Sequence, residues 1–196
     1  MIDRLAQALE KRTIKRVNDT KRKQAAVLIP LYIKDGQYYI LFIQRTDRVR
    51  DHKNQISFPG GACEDIDTCL ADTAIREAEE EIGLDHNCVR IVGQLDDMAT
   101  AGTNYVISPV VGFFPYPCSF KVDQFETEEI IEVPISALLK DNCCEDGTAL
   151  VDGKTVDSYF YHYNDKVIWG ATARILKQFL AIISELVSQG VSLEVT

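Results

Sequence analysis

The sequence predicts a mixed α/β fold of the α+β kind, built around a mixed β-sheet. Three observations lead there. Short β-rich runs at residues 25–32, 38–44, 89–94, 105–114, 127–133 and 158–163 are interspersed with helical patterns, as in a layered domain. Asp35 and Gly36 join the first two runs, and an Asp-Gly pair in that position is a strong hairpin signal because both turn residues must reach positive φ. Towards the end, Ala173, Leu176, Leu180 and Ile183 recur at helical spacing within residues 172–188.

Taken in order, residues 1–24 are rich in basic side chains and read as a helical arm packed on the rest. Residues 25–196 show no repeat, low-complexity stretch or linker and read as one domain. After the hairpin, residues 45–55 are polar and basic, the composition of a loop. Ile56, Ser57 and Phe58 form a short strand that Pro59, Gly60 and Gly61 are expected to stop. Asp67 or Thr68 is placed to cap a helix that runs to Ile82, with Gly83 as its left-handed stop. Residues 134–139 read as a short helical turn.

Composition narrows the function classes. With 46% hydrophobic residues in 196, the chain has material for a core. It holds no apolar stretch long enough for a membrane helix, and the amino terminus lacks the apolar run of a secretory signal, so a cytoplasmic location is expected. Cysteines at 63, 69, 88, 118, 143 and 144 form no Cys-x-x-Cys pair, which favours reduced thiols over a zinc site or a disulfide framework. The net charge of −9 repels phosphate backbones, so nucleic acid is not an expected partner and neither is a membrane. A phosphorylated small molecule stays compatible if cations stand between it and the protein's acids. A homodimer stays open.

The helix over residues 71–82 carries the chemistry. Projected at ~100° per residue, Ala71, Ala74, Ile75, Ala78 and Ile82 form one apolar stripe. Glu77, Glu80 and Glu81 gather on the adjoining flank, because spacings of three and four bring helical side chains together. A Glu-rich helix is commonly just a solvated face. Converging carboxylates also describe a site for a hard cation such as Mg2+ or Mn2+. The preceding Phe58-Pro59-Gly60-Gly61 tips the balance, since its glycines let backbone carbonyls approach a metal or phosphate closely.

Residues 61–84, GACEDIDTCLADTAIREAEEEIGL, resemble the Nudix box, written GX5EX7REUXEEXGU with U apolar. The back half fits at every specified position from Arg76 to Leu84. The front half has one extra residue and Asp67 near the place of the early Glu. That departure is similar to the coenzyme A branch of the family. Residues 41–61, LFIQRTDRVRDHKNQISFPGG, resemble the same branch's Arg-Ser/Thr, Arg-x-His-x-Gly-Gln and FPGG pattern, with Asn54 in place of Gly. Residues 168–173, IWGATA, resemble its carboxy-terminal motif.

The resemblance implies a Nudix fold, a mixed β-sheet sandwiched between helices. It implies attack by water on a nucleoside diphosphate derivative, with coenzyme A or an acyl-coenzyme A yielding 3′,5′-ADP and 4′-phosphopantetheine. Mg2+ or Mn2+ is the implied cofactor, with Glu77, Glu80 and Glu81 as metal ligands and a carbonyl of Gly60 or Gly61 as a further one. Glu80 and Glu81 thereby count as catalytic. Arg76 is expected to orient Glu77 or its neighbours rather than touch substrate. The general base is Glu126, with Glu129 as second choice, both in the stretch FETEEIIEVP. Arg45 and His52, ahead of Arg48 and Arg50, are the candidates for binding the substrate's phosphates, together with Gly60 and Gly61. Trp169 is expected to anchor the core rather than to stack on adenine. Three alternatives remain: a Nudix hydrolase of ADP-ribose or dinucleotides; a non-catalytic nucleotide sensor, which would be expected to lose ligands that this chain retains; and a structural or interaction protein with an acidic helix, which leaves the Phe58-Pro59-Gly60-Gly61 turn unexplained.

Overall fold

The computed structural model describes residues 1–48, 54–151 and 153–195. Helix α1 (Ile2–Glu10) buries Ile2, Leu5 and Leu9, which fall on one helical stripe. The arm is helical only there; residues 13–19 run on without regular structure. Strands β1 (Lys23–Lys34) and β2 (Gln37–Arg45) form the expected hairpin, with φ of 50° at Asp35 and 71° at Gly36. Next come β3 (Ile56–Ser57), β4 (Gly60–Ala62) and helix α2 (Leu70–Ile82). A 3-10 turn (His86–Cys88) leads into β5 (Arg90–Gln94), β6 (Met98–Ala99) and β7 (Tyr105–Phe113). The chain continues through β8 (Thr127–Pro134), the short α3 (Ile135–Leu138), β9 (Cys144–Val151), β10 (Lys154–Tyr163) and β11 (Lys166–Ile168) to helix α4 (Gly170–Ser188).

The main sheet is mixed, as expected. Its order is β3-β2-β1-β7-β5, with β4 added to β1, β6 to β7 and β8 to β2. The β1–β7 pairing is parallel and the others are antiparallel. A separate antiparallel sheet has the order β11-β10-β9.

Strand β1 reads as a continuous apolar run because both of its faces are covered. Alternation sends Ala26, Leu28 and Tyr32 towards α2, where they meet Ala74, Ala78 and Ile82. Ile29 and Leu31 join Leu5 of α1 and Leu176, Phe179 and Ile183 of α4 on the other side. The sheet thus lies between helices.

Three expectations change. Pro59-Gly60-Gly61 does not simply end a strand, because residues 60–62 pair antiparallel with β1. Neither Asp67 nor Thr68 caps α2; its cap position is Cys69, without a side-chain bond, while Asp67 is engaged by Arg76. Strands β6, β9 and β11 were not expected. Gly83 does stop α2 in the left-handed region, at φ 67°. Cys63, Cys69, Cys88, Cys118, Cys143 and Cys144 are all free thiols, and among the described residues no helix is long and apolar enough to cross a membrane.

Candidate active site

The small residues of α2 decide where its acids go. Ala74 and Ala78 are fully buried and let the helix lie close against β1 and β4. That closeness turns Glu77 and Glu81 towards the two glycines of β4. The Gly60 N–H donates to Glu81 Oε2 at 3.0 Å. A Cβ on Gly61 would stand 2.5 Å from both carboxylate oxygens of Glu77. A side chain there would push that carboxylate aside.

Arg45 and Glu126 arrive by strand pairing. In the β2–β8 register Arg45 lies opposite Thr127, and a bulge falls between Gln44 and Arg45. Such a bulge re-aims the side chain that follows it. Arg45 donates from Nη1 to Glu81 Oε1 at 3.1 Å and reaches Glu126 Oε2 with Nη2 at 3.5 Å. One guanidinium therefore bridges the helix acid and the loop acid.

A second guanidinium holds the flank. Arg76 bonds Asp67 Oδ1 from Nε at 3.0 Å, Glu77 Oε1 from Nη1 at 2.9 Å and the Ala62 carbonyl from Nη2 at 3.1 Å. It also pairs with Glu80 at 3.3 Å. The Arg76 hydrogen bond holds the Asp67 carboxyl well below its usual range. Asp67 is thus a buried partner that aims Arg76 at Glu77.

The inner acids are electrostatically crowded. Burial pushes the Glu81 carboxyl up to about 8; Arg45 and the Gly60 N–H oppose this, while Glu77 and Glu126 add to it. Burial also raises Glu77, against Arg76 and with further repulsion from Glu80 and Glu126. Oxygen donors carrying more negative charge than their surroundings neutralise suit a hard divalent cation. As the side chains stand, no three acids, histidines or cysteines among the described residues converge into a coordination sphere. Arg45 stands between Glu81 and Glu126. The donor chemistry fits.

The expected residues separate into groups. Glu77, Glu81, Glu126, Arg45, Gly60 and Gly61 come together. Glu80 does not turn inwards with its two neighbours; 60% of its side chain is exposed, tied to Arg76. Glu129 is engaged by Lys166, which leaves Glu126 as the acid beside the pair. His52 and Arg50 lie outside the described residues. Asn54, in the position where the resemblance has Gly, adopts φ 57°, the left-handed conformation that Asn tolerates best among residues with a side chain.

Beside this cluster opens a cleft of about 800 Å³. Arg45, Gly60, Gly61 and Glu126 line one part; the β9–β10 hairpin contributes Leu150 and Val156, and the start of α4 contributes Trp169 and Arg174. Trp169 is therefore not the core anchor expected: it is half-buried and faces the cleft. Arg174 was missed, although it directly follows the IWGATA segment that pointed here.

The mixed sheet between helices and the acid-lined cleft at its edge have counterparts among known proteins. A NUDIX domain family model matches residues 22–141. A Nudix hydrolase NudL from Photorhabdus laumondii, itself described as uncharacterised, is 36% identical over 84% of this chain and 86% of its own length. One of the same description from Escherichia coli O6:H1 is 32% identical over 80% of each chain. Among solved structures, a MutT/nudix family protein from Enterococcus faecalis superposes with a TM-score of 0.54 at 14% identity, over 89% of this chain and 66% of that one. The Ap4A hydrolase of Caenorhabditis elegans gives 0.51 at 11% identity, over 87% and 99%. These two likenesses speak for the fold alone. The chain belongs to the Nudix family, hydrolases of nucleoside diphosphate derivatives that generally use divalent metal ions.

Proposed function

We propose that the protein hydrolyses the diphosphate bridge of coenzyme A or an acyl-coenzyme A, releasing 3′,5′-ADP and 4′-phosphopantetheine. The observation that carries this reading is the Arg45 bridge between Glu81 and Glu126 at the edge of the cleft. It sets a cation, a buried acid and a half-exposed acid where a diphosphate would lie. The cleft volume falls in the range of about 300–1,000 Å³ typical of small-molecule sites, and its apolar hairpin wall suits the long arm of such a substrate. The sequence segments at residues 41–61 and 168–173, which resemble the coenzyme A branch, both line this cleft in part.

Glu77 and Glu81, with a carbonyl of Gly60 or Gly61 and with Glu80 once it leaves Arg76, would hold Mg2+ or Mn2+. When bound, that ion offsets the diphosphate charge and makes water easier to deprotonate. Glu126 is the general base, accepting the proton of the attacking water. Arg45, released from Glu81 and Glu126, pairs with the phosphate oxygens, for which its planar guanidinium is suited. Arg76 keeps Glu77 aimed without touching substrate.

The test is incubation with Mg2+ or Mn2+ and a panel of coenzyme A, ADP-ribose, NADH and dinucleoside polyphosphates, followed by chromatography. Coenzyme A is expected to disappear fastest, with 3′,5′-ADP formed. Consumption of ADP-ribose or dinucleotides alone would move the assignment to those substrates.

A further inference from the structure

Among the described residues three arginines line the cleft, and they are not equivalent. Arg45 is bound to Glu81 and Glu126. Arg48 stands exposed on the loop after β2. Arg174 comes from a different part of the chain, the second turn of α4, beyond the matched family segment. Its Nη2 donates to the Asp157 carbonyl of β10 at 2.6 Å, which fixes the guanidinium against the hairpin. Among the described residues no carboxylate pairs with it. In a chain of net charge −9, an anchored cation facing a cleft without an acidic partner has its charge available to a ligand.

The remaining groups indicate which part of a ligand would lie there. The scissile diphosphate belongs with the acids and Arg45. Arg174 is held beside the β9–β10 hairpin, whose Leu150 and Val156 line the same cleft as Trp169, an apolar and aromatic lining suited to a base or other flat group. A guanidinium beside it offers paired donors to a phosphate that is not being cleaved.

We infer that Arg174 is a specificity-determining residue that reads a phosphomonoester on the nucleoside end of the substrate, so that a 3′-phosphorylated nucleotide is selected over its 3′-hydroxyl counterpart. This rests on the function proposed above and adds the chemistry of the distal end. The test compares coenzyme A with dephospho-coenzyme A as substrates of wild type, Arg174→Gln and Arg174→Lys. Wild type favours coenzyme A in kcat/KM by about tenfold, the worth of one charge-assisted hydrogen bond. In Arg174→Gln that ratio falls to about one, chiefly through KM, and Arg174→Lys restores part of it. A residue that merely braced the hairpin through Asp157 would lower both substrates alike, and an unchanged ratio overturns the inference.

Calorimetric titration with adenosine 3′,5′-bisphosphate and with AMP separates this inference from the proposed function. Wild type binds the bisphosphate about tenfold more tightly and Arg174→Gln loses the difference. Equal binding by wild type overturns the role of Arg174 even if coenzyme A is a substrate. An Arg174-dependent difference without turnover of either coenzyme leaves the phosphate seat standing and removes the proposed reaction.

Discussion

Glu81 is the residue where stability and chemistry pull apart. It is 3% exposed, and its carboxyl is raised from an ordinary 4.5 to about 8. A native state that binds this proton more tightly than the unfolded chain is favoured below the ordinary value and loses that advantage as pH rises through about 8. The ionised form therefore destabilises the metal-free protein at alkaline pH. Replacing Glu81 with Gln removes the charge, at the cost of one acceptor for the Gly60 N–H or Arg45. With a chelator present, Glu81→Gln is expected to match wild type near pH 5 and to be more stable by about 1–3 kcal/mol near pH 8.5, measured by urea titration. The same variant is expected to lose nearly all turnover. Mn2+ should raise the wild-type Tm more at pH 8 than at pH 6, because binding requires the proton to leave, and Glu81→Gln should show little of that gain. A variant no more stable than wild type at pH 8.5 would contradict the burial argument.

The decisive element is the three-residue strand β4, whose two glycines face different neighbours. A Cβ on Gly60, at φ 156°, would run into the Ala26 carbonyl and stand 2.6 Å from Val27 Cα, both in β1. Backbone cannot yield cheaply, so Gly60→Ala is expected to cost about 2 kcal/mol or more by loosening the β1–β4 pairing. The nearest atoms to a Cβ on Gly61 are those of the Glu77 carboxylate, the far end of a flexible side chain. Gly61→Ala is expected to leave stability within about 1 kcal/mol of wild type, yet to displace Glu77 and lower metal-dependent turnover by about 10²-fold. Thermal melts and steady-state rates on the pair of variants separate the two effects. Equal loss of stability in both would mean that Glu77 cannot move aside. The Phe-Pro-Gly-Gly run thus has a double role: one glycine admits the strand and the other admits the acid.

At the scale of the whole molecule, what could be read from the chain follows the range of the forces involved. The β1–β2 hairpin, α2 and α4 were legible because turn chemistry and helical spacing are local, and the acid flank was legible with α2. The Arg45–Glu126 contact was not, because it depends on the β2–β8 register across roughly 80 residues of chain. Strand β9 was hidden because its pattern is mostly exposed and contains Gly147, so pairing with β10 rather than apolar alternation makes it a strand. The basic composition of residues 1–24 likewise concealed how deeply α1 is built in. Leu5 is fully buried in the cluster that also holds Val92 of β5 and Leu186 of α4, and Leu9 packs against Gly93. Farther along, Arg16 pairs with Asp97 at 2.9 Å and Arg22 donates to the Thr100 carbonyl at 2.8 Å, tying the arm to the β6 wall of the cleft. If the helix shares one core with the sheet, Leu5→Ala leaves a cavity that the whole fold must carry, costing about 2–5 kcal/mol. The expected result is a lower urea midpoint in a single transition reported alike by far-ultraviolet circular dichroism and Trp169 fluorescence. If α1 were only an appended arm, the same substitution would fray its nine residues and leave the Trp169 transition where it was. The shared core predicts instead that a methyl cluster removed at the amino terminus is felt at the mouth of the cleft.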